Sequence, residues 1–232
     1  MQLVIFDLDG TLTRTTRVDE VCYMRALRDE FGVTSIDNDW LQYTQATDSG
    51  ITVEIFQNHF GRSPSDEEIE RVKHRFVALL AQAIEERPES CTQVEGAAAA
   101  LERLTAHPHW AAALATGSWQ ASALLKLSAA KLEAAHLPAA FADDSMSRDG
   151  IVTLALQRAR LRYGQETFSR VVCVGDAPWD VRTARRLKFP LLGVGAGRRA
   201  ELLRHEGAGE VLPDFSDFDA FLRTLEKVDV PR

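Results

Sequence analysis

A chain of 232 residues with 45% hydrophobic and 26% charged residues has a globular composition, with room for one large domain or a core plus a smaller unit. A formal net charge of −7 and a pI of about 5.4 exclude a general basic footprint for nucleic acid, so an anionic ligand needs a local positive pocket. The apolar stretches are too short to span a bilayer and nothing resembles a signal peptide, which leads us to expect a cytoplasmic protein without a membrane partner. Cys22, Cys91 and Cys173 lie far apart without metal-ligand spacing and read as buried, reduced thiols.

The chain opens with the apolar run Leu3-Val4-Ile5-Phe6, which stops abruptly at Asp7-Leu8-Asp9-Gly10-Thr11. That pattern reads as a buried strand whose C-terminal end holds a polar site. Thr13 to Arg17 form a polar connector. From Val18 to Phe31 apolar residues recur at helical spacing and Gly32 closes the run. A short helix near Trp40–Thr44 and another over Thr52–Phe60, closed by Gly61, come next. Ser65-Asp66-Glu67-Glu68 is a capping box opening a helix with Ile69, Val72, Phe76, Leu79 and Ala83 on one stripe. Residues 15 to about 90 thus read as all-helical.

Beyond residue 90 the pattern alternates. Helices are expected at 96–106, 120–135, 151–163, 179–187, 199–206 and 216–227. Apolar strand runs lie at Trp110–Ala115, Val171–Val174 and Leu191–Val194, with weaker candidates at Ala139–Ala142 and near Val211. Continuous apolar strands between helices predict an α/β fold with a parallel sheet covered on both faces. Ligands of such sheets sit at the carboxyl ends of the strands. The polar endings Asp7/Asp9, Thr116/Gly117 and Asp176/Asp180 therefore converge on one edge, with the helical stretch placed over it.

Gathered carboxylates repel one another unless a hard cation joins them, and an oxygen-only donor set favours Mg²⁺ over zinc. One carboxylate beside such a cation can act as a nucleophile toward phosphorus. The other can protonate the leaving oxygen and later activate water, provided its pKa lies nearer neutrality. Thr116 offers a hydroxyl and a backbone N–H to a phosphoryl oxygen, Gly117 allows close approach, and a Lys or Arg should balance the remaining charge.

These residues carry a resemblance. Asp7-Leu8-Asp9-Gly10-Thr11-Leu12-Thr13 resembles the first signature of the haloacid dehalogenase (HAD) superfamily, Leu114-Ala115-Thr116-Gly117 the second, and Gly175-Asp176-Ala177-Pro178-Trp179-Asp180 the fourth. It covers essentially the whole chain. It implies a Rossmann-like core over residues 1–14 and 91–232, with a helical cap over 15–90, as in phosphoglycolate phosphatase-like members. It implies a Mg²⁺-dependent phosphatase of a small phosphorylated metabolite. Asp7 would be the nucleophile and a metal ligand, and Asp9 the acid/base, ligating through its backbone carbonyl. Asp176 would be the remaining ligand, with Asp180 supporting it, and Thr116 would bind the phosphoryl group. A phosphosugar mutase of the β-phosphoglucomutase type is the alternative, and a non-catalytic binding protein a third.

One departure concerns the third signature, a Lys before a proline-containing segment. The corresponding stretch, Asp143 to Gly150, has no Lys-Pro. Lys126, Lys131 and Arg148 are the candidates, Lys126 first because it could reach back over the strand edge. Gly193 to Gly197 reads as a turn rather than a phosphate cradle, lacking the order of a dinucleotide motif. In the helical stretch Arg14, Arg17, Thr47, Asp48 and Ser49 could face a substrate.

Overall fold

The computed structural model describes all 232 residues. In chain order it contains β1 (Gln2–Phe6), β2 (Thr13–Arg14), α1 (Thr16–Phe31), α2 (Asp48–Phe60), α3 (Asp66–Glu86), β3 (Thr92–Gln93), α4 (Ala97–Thr105), β4 (Trp110–Ala115) and α5 (Gln120–Ala129). The second half adds β5 (Ala139–Ala140), α6 (Arg148–Tyr163), β6 (Val171–Gly175), α7 (Pro178–Leu187), β7 (Leu191–Val194), α8 (Arg198–Glu206), β8 (Glu210–Leu212) and α9 (Phe218–Lys227).

Six strands form one parallel sheet in the order β5-β4-β1-β6-β7-β8. Side chains alternate across a strand, so each continuous apolar run feeds two cores. From β1, Val4 and Phe6 pack on one face with Leu101 of α4, Leu127 of α5 and Phe221 of α9. Leu3 and Ile5 pack on the other face with Ala155 of α6, Val181 of α7 and Leu203 of α8. Because β1 lies between β4 and β6, the three polar strand ends named from sequence are neighbours. The crevice at that reversal of strand order is where such sheets bind ligands.

Helices α1, α2 and α3 bury a third cluster, including Leu27, Phe56, Phe76 and Leu80, which Trp119 and Ala142 join from the sheet layer. Their ends follow the sequence signals. Ser65 accepts from the Glu68 N–H at 3.2 Å while Glu68 accepts from the Ser65 N–H at 2.8 Å, completing the capping box. Gly32 and Gly61 close α1 and α2 at φ of 69° and 68°, a conformation that favours glycine.

Three features differ from the sequence reading. Residues 40–42 form only a single 3₁₀ turn, while α2 begins at Asp48, where the Thr47 side chain caps the Gly50 N–H. Helix α5 stops at Ala129 rather than near 135. Lys131 takes φ of 57° and the Leu132 N–H bonds to the Leu127 carbonyl, a left-handed helix ending built on lysine, with no glycine to announce it. The ribbon β2–β3 pairs Thr13 with Gln93 and Arg14 with Thr92. Two residues a side carry no periodic signal, yet the ribbon draws together the points where the chain leaves and rejoins the sheet layer.

Phe76 is fully buried, with Tyr23 and Trp119 rings 5.8 and 6.0 Å away. Phe76→Ala is expected to lower unfolding free energy by about 3–5 kcal/mol in a denaturant titration, since the lost contacts span helix and sheet layer. A loss below about 1 kcal/mol would show that the cluster collapses onto the void.

Candidate active site

The loop after β1 is where the chain leaves the sheet. Asp7 still donates its N–H to the Val174 carbonyl at 2.9 Å, but the amides of Leu12 and Thr13 then fold back onto the Leu8 carbonyl at 2.9 and 3.0 Å. Leu8, 1% exposed, anchors the turn. Its curl sends the two aspartates to different partners. Asp7 Oδ1 accepts from Arg148 Nη1 at 2.9 Å. Asp9 Oδ2 accepts from Lys126 Nζ and Ser118 Oγ, both at 2.7 Å, and its Oδ1 from the Thr15 hydroxyl.

Asp7, Asp176 and Asp180 are buried with one oxygen from each within 4.8 Å of the others. Asp176 ends β6. Asp180, in the first turn of α7, accepts at Oδ2 from the amides of Asp176 and Ala177 at 3.1 Å each, and at Oδ1 from Arg148 at 2.9 Å. Arg199, opening α8, sits 3.0 Å from Asp176. Thr11 Oγ1 lies 3.4 Å from both Asp7 and Asp176. Gly10 permits the approach. At its φ of 83° a Cβ would stand 2.1 Å from Asp176 Oδ2.

Burial raises the Asp7 and Asp176 carboxyls above the usual range and pushes Asp180 up to about 7; repulsion from Asp9 adds to this at Asp7, and repulsion from Asp7 adds to it at Asp176 and Asp180. An oxygen-only set under this strain fits a hard divalent cation, which would reverse it. Asp9 runs the other way. Burial would raise it, but the Lys126 charge and the Thr15 and Ser118 hydroxyls outweigh that and hold it below its ordinary value. The condition set for the acid role, a pKa nearer neutrality, is therefore not met by Asp9 in this arrangement, because a buried lysine reaches Asp9 and not Asp7.

The other sequence candidates separate clearly. Arg148, the second choice, is the cation that meets Asp7, bridging it to Asp180. Lys126 does reach back over the strand edge, but its ammonium is fully buried against Asp9, Asp19 and Ser118. Lys131 is exposed at the end of α5. Thr116 is buried and its N–H is committed to the Ala140 carbonyl, so only the hydroxyl is left to donate. Gly117 is a close-approach position, though its nearest neighbours are the Ala46 carbonyl and Arg148. Arg14 and Arg17 are exposed and line no part of the cavity described next, whereas Thr47 and Asp48 line it. Ser49 is buried, donating to the Ala142 carbonyl and accepting from Trp119 Nε1. Missed from sequence were Thr15, Ser118, Asp19 and Arg199. Ser118 could have been found from its place beside Thr116; the others depend on helices folding over the crevice.

A cavity of about 470 Å³ opens between the helices and the sheet edge, reaching Asp9, Asp176 and Arg148. Tyr23, Trp40 and Trp179 supply aromatic wall, and α1, α2 and the segment between them contribute Asp19, Glu20, Asp39 and Asp48 but no Lys, Arg or His. Hydrogen bonds fasten these helices to the site loops. The Asp48 N–H donates to the Gly117 carbonyl at 2.7 Å, the Trp119 N–H to Asp48 Oδ2 at 2.9 Å, and Arg148 Nε to the Ala46 carbonyl at 2.9 Å.

Fold and carboxylate crevice together define an α/β protein of the Rossmann-like type with a polar site at its strand ends. The family model for haloacid dehalogenase-like hydrolases matches residues 1–188, and the chain belongs to that family. No curated protein matches it. Among solved structures it is similar to a hydrolase from Pseudomonas syringae, at 25% identity and a TM-score of 0.72, covering 97% of this chain and 99% of that one. It is also similar in fold to a predicted phosphoglycolate phosphatase from Haemophilus somnus, at 16% identity and a TM-score of 0.61, covering 95% and 97%. A proposed β-phosphoglucomutase from Bacteroides vulgatus has 16% identity and a TM-score of 0.68, covering 97% and 89%. No helix is long and apolar enough to cross a membrane.

Burial, reinforced by Asp19, pushes Asp48 up to about 8 from an ordinary value of 3.8. The folded protein then holds a proton that the unfolded chain has already lost, so stability falls as pH rises through that window. Asp48→Asn keeps an acceptor for Trp119 without the titration. Its melting temperature should gain on the wild type between pH 5 and pH 8, measured by paired thermal melts; parallel curves would contradict the assignment. Gly10→Ala should lose about 1–2 kcal/mol through the left-handed backbone alone, and displace Asp176 as well. A weaker thermal shift on addition of a divalent cation, compared with the wild type, would register that displacement.

Proposed function

We propose that this protein is a Mg²⁺-dependent phosphatase of a small phosphorylated metabolite, acting through an aspartyl-phosphate on Asp7. The observation that carries the reading is Asp7 held between the Arg148 guanidinium and a buried carboxylate cluster, with Arg148 and Asp176 lining the 470 Å³ cavity. Residues 15–90 serve as a cap over a core of residues 1–14 and 91–232. Asp7, Asp176 and the Asp9 carbonyl would hold Mg²⁺, with Asp180 in support. When bound, the ion supplies charge that neutralises the phosphoryl oxygens and the clustered carboxylates.

The chain's own groups divide the rest. Arg148 and the Thr116 hydroxyl hold the phosphoryl oxygens, and Gly117 lets cap and core close upon them. The Asp7 carboxylate attacks phosphorus as the ester oxygen leaves, taking a proton from Asp9; Lys126 favours the ionised form of Asp9, so this acid must take up its proton before the step and gives it up readily. A water molecule then attacks the phosphoryl group on Asp7, giving its proton back to Asp9 and releasing inorganic phosphate. Of the three cations considered for the third signature, Arg148 takes that place, because it alone touches the nucleophile. The three buried, unpaired cysteines suit a reducing cytoplasm.

A mutase must also grip a second phosphate from the cap side. The cap wall carries carboxylates and no basic side chain, which favours hydrolysis of a monoester over mutase chemistry. We expect p-nitrophenyl phosphate turnover that requires Mg²⁺ and falls at least about a thousandfold in Asp7→Asn, equivalent to about 4 kcal/mol. Metal-independent turnover, or full activity in the variant, would overturn the proposal. With a hexose phosphate, phosphate release without isomerised product is expected, and net isomerisation would restore the mutase reading.

A further inference from the structure

Lys126 is a buried ammonium that the phosphatase reading leaves without a part. Its side chain is fully inaccessible, and an ammonium has three N–H donors to satisfy. Each finds one acceptor: Asp9 Oδ2 at 2.7 Å, Ser118 Oγ at 2.7 Å and Asp19 Oδ1 at 2.6 Å. Asp9 and Ser118 belong to the loops at the ends of β1 and β4. Asp19 belongs to α1, on the other side of the crevice.

We propose that Asp19 is a positioning residue, which fixes the Lys126 ammonium from the helical layer and through it orients the Asp9 carboxylate toward the leaving-group oxygen. The proposal rests on the phosphatase reading. Asp9 is gripped at one oxygen by Lys126 and Ser118 and at the other by Thr15, so the ammonium sets the plane of its carboxylate. Take Asp19 away and one N–H of a fully buried ammonium loses its acceptor. The nitrogen then moves toward its remaining partners, and the Asp9 plane turns with it. Proton transfer needs Asp9 within hydrogen-bond reach of the leaving oxygen, so a small rotation removes most of its effect.

The surroundings support this division of labour. Asp48, at the start of α2, accepts from the amide of Trp119, the residue after Ser118, and donates its own N–H to Gly117. The helical layer therefore holds the loop carrying Ser118 as well as the lysine, and two of the groups that grip Asp9 depend on how that layer is seated. Orientation of the acid is then a property of the closed arrangement and not of the core alone.

The test exploits the leaving group. p-Nitrophenolate departs with little protonic help, whereas unsubstituted phenolate needs a proton delivered as the bond breaks. A loss of general structure would slow both esters alike, but a misoriented Asp9 slows the poorer leaving group selectively. With the full chain and saturating Mg²⁺, kcat/KM is measured for phenyl and p-nitrophenyl phosphate in wild type, Asp19→Ala and Lys126→Met. The phenyl to p-nitrophenyl ratio should fall about tenfold or more in both variants, within the range that general acids contribute. The double variant should fall no further than Lys126→Met. A ratio within about twofold of wild type, or fully additive losses, would overturn the proposal. Should Lys126→Met fail to fold, Asp19→Ala, at a partly exposed position, decides through the ratio alone. Wild type that turns over neither ester would overturn the phosphatase reading, and this proposal with it.

Discussion

The arrangement of this site follows from burying several carboxylates at one edge of a parallel sheet. Desolvation raises Asp7, Asp176 and Asp180; repulsion from Asp7 raises the other two further, and Asp180 adds to Asp176. Such a set persists only with cationic partners. The chain supplies two buried ones in separate places, Arg148 on Asp7 and Asp180, and Lys126 on Asp9. Oxygen donors under that strain are also the kind a divalent cation would bind, which would relieve their repulsion.

From this separation comes a division between two aspartates only two positions apart. A regular strand would turn both side chains to one face. The strand ends at Phe6, and the turn closed on the Leu8 carbonyl parts them instead. Asp7 looks into the carboxylate cluster, while Asp9 looks toward Lys126, Ser118 and Thr15. Environment rather than residue type separates them, and their protonation tendencies are driven in opposite directions.

The helical layer is part of the site as well as its cover. The Ala46 carbonyl steadies Arg148, Asp48 braces the loop after β4, and Asp19 accepts a hydrogen bond from Lys126. All of these reach core groups that touch Asp7 or Asp9 directly or through one neighbour. The seating of the helical layer and the completeness of the polar network are therefore linked, since a polar group in this low-dielectric crevice is disfavoured without its partner.

The sequence by itself determined the sheet, its covered faces and the position of the crevice. Continuous apolar runs ending in Asp7, Thr116 and Asp176 are local patterns, and a parallel topology converts them into one place in space. Capping and glycine stop signals gave the helices of residues 16–86 for the same reason. What only the tertiary structure decided was the pairing of charges. Lys126 and Arg148 are both long side chains near the same edge, and their assignment to Asp9 and Asp7 depends on where α5 and α6 cross the crevice. The left-handed ending of α5 at Lys131, the ribbon β2–β3, and the arrival of Asp19 and Arg199 were equally hidden. Each results from a contact between distant segments, for which spacing along the chain carries no signal.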